Sequence, residues 1–287
     1  MIVRYERGSK WAAYGENLMD VAAYLRTSER HWRSDISQSR MRSPSWDLDV
    51  GYNGATRLAH DGWSDGAREL HGLIHAADIK NERHTVEQWD IAGHAPDVAR
   101  YLAGDPAHMR RRSRSPDTTR APIVSLIYNI VAAEMVSAKS LALMGSAMVA
   151  IVDQLETRGR RVELSVGYSA RLRGGKNTIA GWLVKRAEDQ LDIAAVAFSV
   201  AHPAAMRRLC LGIVERSPYE WTDDTYGRPM ALQPGDLPGA DDNALIVQGL
   251  SIHSFTAPTS VLGAVNLLAK QINEAHGSDL IEVAVQV

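Results

Sequence analysis

Apolar runs and helix-periodic stretches alternate along the second half of the chain. Ile123–Ile130 is an apolar run rich in β-branched residues, which predicts a strand. A long apolar-periodic helix follows from about Ala138 to Leu155, Gly159 ends it, and Arg161–Tyr168 predicts a second strand. This succession is typical of the βαβ unit of doubly wound sheets, whose ligands sit at the carboxyl ends of the strands.

The same alternation continues to the end of the sequence. The predicted elements are a strand at Lys176–Arg186, a helical region at Leu191–Arg216 interrupted at His202-Pro203, a strand at Ala244–Ile252, a helix at Thr259–Glu274 and a closing strand at Leu280–Val287. Their order predicts an α/β fold, a Rossmann-like sheet flanked by helices, over residues 121–287.

Residues 1–120 have a different texture. They hold five of the seven tryptophans and no long strand pattern, and their apolar spacing predicts short helices at Asn17–Trp32, at Gly54–His60 and from Ser64 onward. The basic segment Arg110–Pro116 has no apolar content and predicts an exposed loop. We therefore expect a small, mainly α-helical N-terminal region, 1–120, and an α/β domain, 121–287. Trypsin should cut first within Arg110–Arg120 and leave the second part folded.

Composition narrows the class of protein. With 287 residues, 45% of them hydrophobic, the chain has ample material for a core. Its net charge of −2 argues neither for nor against nucleic acid. Cys210 is the lone cysteine, which excludes an internal disulfide and fits a reducing compartment. No window approaches the ~18 apolar residues of a membrane span, and the first residues lack the apolar core of a signal peptide. We expect a soluble, cytoplasmic protein that does not bind membranes.

The stretch SAKSLALMGSAMVAIVDQLETRGRRVELSVGYSA, which follows the first strand, resembles the opening of a von Willebrand factor A domain. In that family the first strand ends in Asp-x-Ser-x-Ser, which supplies a carboxylate and two hydroxyls to a metal ion. The matching positions here are Asn129, Val131 and Ala133. Because hard cations need anionic and hydroxyl oxygens, the resemblance implies an A-domain-like scaffold with a degenerate metal site, no bound metal and no cofactor.

The segments AGHAPDVARYLAGDPAHMRR and LDIAAVAFSVAHPAAMRRL also resemble an uncharacterised family of tailed-bacteriophage proteins. This second resemblance implies a phage-encoded protein that works in the host cytoplasm. It implies no activity.

The A-domain resemblance implies a partner-binding surface at the carboxyl ends of the strands. The contact positions there would be Asn129, Glu134 and Ser137 after the first strand, and His253, Ser254 and Thr256 after Ala244–Ile252. The partner would be another protein, of phage or host, or a second copy of the chain.

An arginine cluster offers a different surface. It comprises Arg110, Arg111, Arg112 and Arg114, with Arg100 and Arg120 nearby. Clustered guanidiniums release counterions from a nucleic-acid backbone. If Arg100, Trp89 and Tyr101 converge with the cluster, they would supply base stacking as well. The alternative, which we favour, is a solvated loop whose charge is balanced by Asp97, Asp105 and Asp117.

A weaker anion site combines His202, Arg207 and Arg208 at the start of a predicted helix. Free amides and the helix dipole favour negative charge at such a position. The alternative, which again we favour, is a kinked helix with both arginines pointing to solvent.

No residue set points to catalysis. Cys210 lies beside Leu209 and Leu211, as inert buried thiols do, and no serine stands in a Gly-x-Ser-x-Gly elbow. His71 and His75 have the i, i+4 spacing of zinc ligands but no third ligand at a matching spacing. We expect a non-enzymatic interaction or scaffold protein. The alternative is a nucleic-acid-binding accessory protein of phage replication, transcription or packaging, and an enzyme ranks third.

Overall fold

A computed structural model describes residues 1–28, 44–76, 85–93, 95–114, 121–133, 136–219, 228–250 and 257–281. Within these residues the chain forms a mixed sheet of seven strands, a separate sheet of three short strands, and helices that flank the large sheet. The α/β fold predicted from the alternation of strands and helices is confirmed.

The strands, in chain order, are β1 Ile2–Arg7, β2 Lys10–Gly15, β3 Thr85–Asp90, β4 Ala95–Pro96, β5 Met109–Arg114, β6 Ile123–Asn129, β7 Arg161–Arg171, β8 Asn177–Lys185, β9 Arg228–Pro229 and β10 Leu245–Gln248. The large sheet has the order β1-β2-β8-β7-β6-β10, with β9 paired to β7, and the small sheet has the order β3-β5-β4.

Strand β6 is parallel to both of its neighbours, and Leu126 lies opposite Leu164 of β7 and Leu245 of β10. Strand β8 is antiparallel to β7, β2 is parallel to β8, and β1 is antiparallel to β2. The strands predicted from the apolar runs are confirmed as β6, β7, β8 and a shorter β10. Of the predicted closing strand, residues 282–287 lie outside the described residues, and Leu280 and Ile281 are not in a strand.

The helices are α1 Leu18–Thr27, α2 Pro44–Asp47, α3 Gly51–Asp61, α4 Ser64–Ala76, α5 Val98–Leu102, α6 Ala138–Thr157, α7 Ile193–Ala201, α8 Leu211–Val214 and α9 Val261–His276. A π-helix, Ala205–Cys210, leads directly into α8. The predicted helices correspond to α1, α3, α4, α6, α7, the π-helix with α8, and α9, and the predicted interruption at His202 is confirmed by the end of α7. Asn17, Ser137 and Ser260 cap α1, α6 and α9 with their side-chain oxygens, which explains where these helices begin.

Residues 1–120 also hold five short strands, which the search for long strand patterns did not identify. Strands β1 and β2 belong to the large sheet, and β3, β4 and β5 form the small one. Strand β1 alternates charged with apolar residues at a sheet edge, and β2 is rich in alanine, which has a low strand propensity, so neither has the long apolar run of a central strand. The division at residue 120 stays a prediction, but a chain beginning at residue 121 would lack both β1 and β2.

The two faces of the large sheet are covered differently. Leu126 and Tyr128 of β6 face the main core, which includes side chains of α1, α3, α4, α6, α7 and α9. Ile127, between them, faces the opposite side and joins a smaller cluster with Leu232 and Leu237 of the segment before β10. The bare backbone of Gly167 makes room for this segment, because an added Cβ there would lie 2.5 Å from a methyl carbon of Leu232.

Helix α6 has the length and apolar composition of a membrane-spanning helix, but 72% of its most apolar window is buried inside the protein. Helix α6 packs against α7, and Gly145 of α6 lies close to the backbone of Ala201 in α7. This burial is what the core helix of a soluble protein shows.

Candidate functional site

The carboxyl end of β6 is closed by Asn129. Its Nδ2 donates hydrogen bonds to the Met230 carbonyl at 3.0 Å and to Gln248 Oε1 at 2.8 Å, and its Oδ1 accepts one from the Val131 amide at 3.2 Å. Only 1% of the residue is exposed. Asn129 therefore ties β6 to β10 and to the segment after β9, and its assignment as a partner contact is wrong.

The other predicted contact positions divide into two groups. Ser137 is exposed, but its Oγ accepts a hydrogen bond from the Ser140 amide at 3.1 Å and serves as the cap of α6. Glu134, His253, Ser254 and Thr256 lie outside the described residues. Val131 and Ala133 stand at the two hydroxyl positions of the A-domain motif, but their side chains are aliphatic and offer no oxygen ligand. Val131 is buried and Ala133 is partly buried. Among the described residues no group of three His, Cys, Asp or Glu side chains is placed to hold a metal ion.

Helices α2 and α3 and the π-helix meet at a buried charged cluster beside the carboxyl end of β6. Arg208 of the π-helix donates its Nε to Asp47 Oδ2 at 2.6 Å, and its Nη2 lies 2.5 Å from the same oxygen. The Asp47 carboxylate also accepts hydrogen bonds from the amides of Asp49 and Gly51, both at 3.1 Å. Arg208 and Asp47 are both almost fully buried, so the carboxylate is fully engaged inside the protein.

Arg207 reaches from the same π-helix to backbone carbonyls. Its Nη1 donates to the Trp46 carbonyl at 2.7 Å, and its Nη2 donates to the Val136 carbonyl at 2.9 Å and to that of Ala133 at 3.4 Å. Arg207 therefore joins α2 to the residues between β6 and α6. The interpretation that Arg207 and Arg208 point to solvent is wrong, because both residues are buried: Arg208 pairs with the Asp47 carboxylate, and Arg207 donates to backbone carbonyls.

His202 is part of the same buried region. Its Nδ1 accepts a hydrogen bond from the Ala204 amide at 3.0 Å, and the Trp63 ring packs edge-on with its centroid 4.6 Å away. Burial lowers the pKa of His202 to about 4, so the ring is neutral at pH 7. A neutral histidine and two internally paired arginines do not form an anion site, and that prediction is wrong as well.

The thiol and the histidine pair show no activating surroundings. Cys210 is fully buried, and burial raises the pKa of its thiol well above the ordinary value, so it remains protonated. His71 and His75 are exposed on α4, and among the described residues no third His, Cys, Asp or Glu side chain is placed with them to hold a metal ion.

The second predicted surface is built by residues 85–114, which we call the ladder module. Strand β5 lies between β3 and β4, and Arg110 is the cross-strand partner of Trp89. Because strand positions alternate between faces, the register assigns Arg110 to the face that carries Trp89. The side chains of Arg112 and Arg114 lie outside what the structure describes. Arg111 belongs to the other face, where its Nη1 donates to Asp90 Oδ2 at 2.9 Å and lowers the pKa of that carboxyl.

Arg100 joins the same face from α5. Its guanidinium lies over the Trp89 ring, with Cζ 4.3 Å from the ring centroid, and its Nη1 donates to Asp105 Oδ2 at 3.1 Å. Arg100, Trp89 and Arg110 therefore lie together, which is the condition that the sequence set for a stacking surface. The segment itself is a strand up to Arg114, whereas the sequence predicted a loop, and Arg120 lies outside the described residues.

The sequence pointed to Trp89 and Tyr101, whereas the aliphatic residues that are exposed with them were missed. The ladder module exposes several large apolar side chains. They are Trp89, Ile91, Val98, Tyr101 and Leu102, with exposed fractions from 40% for Trp89 to 78% for Leu102. Val98, Tyr101 and Leu102 have the i, i+3, i+4 spacing of one helix face on α5, and no residue of α5 is buried. That spacing, in a helix too short to span a core, was the available signal. We call these five side chains the ladder surface.

Comparisons with other proteins give one result that covers the chain. No curated protein matches the sequence, and no solved structure matches it either. One family does match, over residues 7–273, so that a single match includes β2, the ladder module and all the later strands of the large sheet. The chain therefore belongs to DUF7192, the family of a domain of unknown function.

Proposed function

We propose that this protein is a non-enzymatic interaction protein. Through the ladder surface it binds a segment of a partner protein whose apolar side chains are flanked by carboxylates. The observation that carries the proposal is the exposure of five large apolar side chains within one small module. Large apolar side chains that stay exposed within one small module are typical of protein-binding sites, since leaving them in water is unfavourable.

The charges around the ladder surface specify the partner. Strand β5 places Arg110 opposite Trp89, and Arg100 stacks on the same ring. Aromatic residues and arginine are the side chains most enriched in protein interfaces, and arginine binds carboxylates with a planar pair of donors. A partner segment with apolar side chains flanked by carboxylates is complementary to this arrangement.

The rest of the molecule supports a scaffold role in this proposal. The large sheet holds the β6–α6–β7 unit expected of an A-domain-like scaffold, and its carboxyl edge is occupied by internal contacts of Asn129 and Arg207. We extend the proposal to the setting implied by the resemblance of the sequence, a phage-encoded protein that acts in the host cytoplasm.

Peptide binding tests the proposal on the full chain. A fluorescent helical peptide with leucines at i, i+3, i+4 and i+7 and glutamates elsewhere is titrated by anisotropy. The Val98→Ser/Leu102→Ser variant should bind about tenfold more weakly or worse, because it removes apolar contacts from an already exposed face. The control Ile123→Ser/Leu267→Ser makes the same kind of change at exposed apolar residues elsewhere and should bind as the parent does. Equal affinity of both variants, or equal binding of a peptide with lysines for glutamates, overturns the proposal.

A single-stranded nucleic acid is the second candidate partner. The convergence of Trp89, Arg100 and Arg110 on one face favours it, since aromatic stacking with arginine is how single-strand binders hold bases. Exposed aliphatic side chains such as Val98 and Leu102 add nothing to stacking on bases, whereas they suit the apolar side chains of a protein, so the protein partner is favoured. An oligothymidylate that binds the chain, loses affinity steeply with salt and is released by Trp89→Ala would establish this alternative.

A further inference from the structure

Strand β1 forms one edge of the large sheet. It pairs with β2 on one side, and no strand pairs with its other side within the described part of the chain. Edge strands present unpaired N–H and C=O groups to any strand that can reach them.

The hydrogen-bonding direction of β1 follows from one bond at its start. The Met1 carbonyl accepts the Glu16 amide at 3.3 Å, so the odd-numbered residues of β1 turn their backbone groups toward β2. The even-numbered residues Ile2, Arg4 and Glu6 therefore turn theirs outward. Within the described residues no backbone hydrogen bond beyond the pairing with β2 uses these outward groups.

Arg4 and Glu6, the two charged residues with outward backbone groups, are of opposite sign and both exposed. We propose that a second copy of the chain pairs with this edge, antiparallel, with Tyr5 of each copy on the two-fold axis. Arg4 of one copy then lies opposite Glu6 of the other, twice, and these pairs exchange four backbone hydrogen bonds. The partner surface is thus the same strand of an identical molecule, and the interface is isologous.

Charge and hydrogen-bonding direction together select this register. A shift by two residues places Arg4 opposite Arg4 or Glu6 opposite Glu6, and like charges directly opposite each other are destabilising. A shift by one residue sets outward groups against residues whose groups face β2. Charges usually protect an edge strand from pairing because a single sign repels, whereas this edge is complementary to itself.

Sedimentation velocity over a hundredfold range of concentration tests the proposal on the full chain. The interface is small, so the natural protein should show a weak dimer that grows with concentration and weakens with salt. Arg4→Glu and Glu6→Arg should each be monomeric, because each places like charges opposite one another. An equimolar mixture of the two variants should form a heterodimer, and the double variant Arg4→Glu/Glu6→Arg should recover the homodimer.

Two comparisons make the outcome decisive. Arg7→Glu carries the same charge change as Arg4→Glu at a position whose backbone faces β2, and it should leave the dimer intact. Circular dichroism of each variant verifies its fold. Arg4 contacts the Tyr24 ring, so if Arg4→Glu is destabilised by the loss of that contact, Glu6→Arg alone tests the charge pairing. A protein that is monomeric at every concentration overturns the proposal. So does a dimer that persists in both single variants, or a mixture that fails to associate.

Discussion

The Cζ atom of Arg100 lies 4.3 Å from the centroid of the Trp89 ring, and this stack joins α5 to β3. Asp97 caps α5 through the Arg100 amide, and Asp105 accepts the Arg100 guanidinium. Local polar contacts therefore hold the ladder module together, while its large apolar side chains remain outside. This separation is the physical basis of the proposed partner-binding surface.

Removing one partner of the buried Arg208–Asp47 pair should destabilise the protein much more than replacing both partners together. Asp47→Asn or Arg208→Met should each lower the free energy of unfolding by about 3–5 kcal/mol, since each leaves an unmatched buried charge. The double variant should lose much less than the sum of the two. Urea unfolding measures this, and removal of Arg68 from its exposed pair with Asp65 should change little. Additive losses would contradict a coupled buried pair.

Burial of His202 should make stability fall in mild acid. The unfolded chain takes up a proton near the ordinary pKa of 6.5, whereas the folded chain has a His202 pKa of about 4. The contribution of this group is therefore complete above pH 6.5 and is lost as the pH falls toward 4, by at most about 1.4 kcal/mol per pH unit. His202→Asn, which can still accept the Ala204 amide, should reduce this slope in urea unfolding between pH 7 and pH 4. An unchanged slope would exclude His202 as its source.

Two helical glycines should respond oppositely to alanine. An added Cβ at Gly145 would lie 2.3 Å from the Ala201 Cβ, so Gly145→Ala should destabilise the protein by about 1–3 kcal/mol despite the higher helix propensity of alanine. Gly72 on α4 has nothing within 4 Å of the added atom, and Gly72→Ala should stabilise by up to about 1 kcal/mol. Thermal unfolding of both variants tests the close approach of α6 and α7, and a stabilised Gly145→Ala would refute it.

A fragment that begins at residue 121 should not fold alone. Strand β2 is buried beside β8, and the Tyr14 hydroxyl lies 2.7 Å from Ser165 Oγ of β7. Loss of residues 1–120 exposes the edge of β8 and these apolar contacts. We expect the fragment to aggregate or to show no cooperative unfolding, whereas the full chain unfolds cooperatively. A soluble, cooperatively folded fragment would instead support the two-domain division predicted from the sequence.

The predictable part of the fold is the part with strong local patterns. The apolar run before Asn129 and the long periodic helix after Ser137 identify β6 and α6, because central strands and core helices are apolar along most of their length. Strands β1 and β2 were missed because neither has the long apolar run of a central strand. They are held as strands by pairing with each other and, for β2, with β8. The same reason explains β5, which is four arginines in six residues held by β3.

The site residues were harder to predict because their surroundings come from distant segments. Arg207 and Arg208 look like solvent-facing residues until Asp47 and the Trp46 carbonyl, some 160 positions away in the chain, are placed against the π-helix. The residues of the ladder module lie close together in the chain, so the meeting of Arg100 and Trp89 could be named from the sequence as a condition. The structure was needed to show that they meet. The spacing of Val98, Tyr101 and Leu102 on a short helix pointed to one apolar face, but whether another element covers that face depends on the tertiary structure.

Hydrogen–deuterium exchange of the full chain with and without the glutamate–leucine peptide tests the central claim most directly. The account predicts slowed exchange confined to residues 89–102, and no change at 130–133 and 136–140 on the carboxyl edge of β6. The Val98→Ser/Leu102→Ser variant should abolish that protection. Slowed exchange at the carboxyl edge, or the same protection in the variant, would contradict a partner-binding role for the ladder surface.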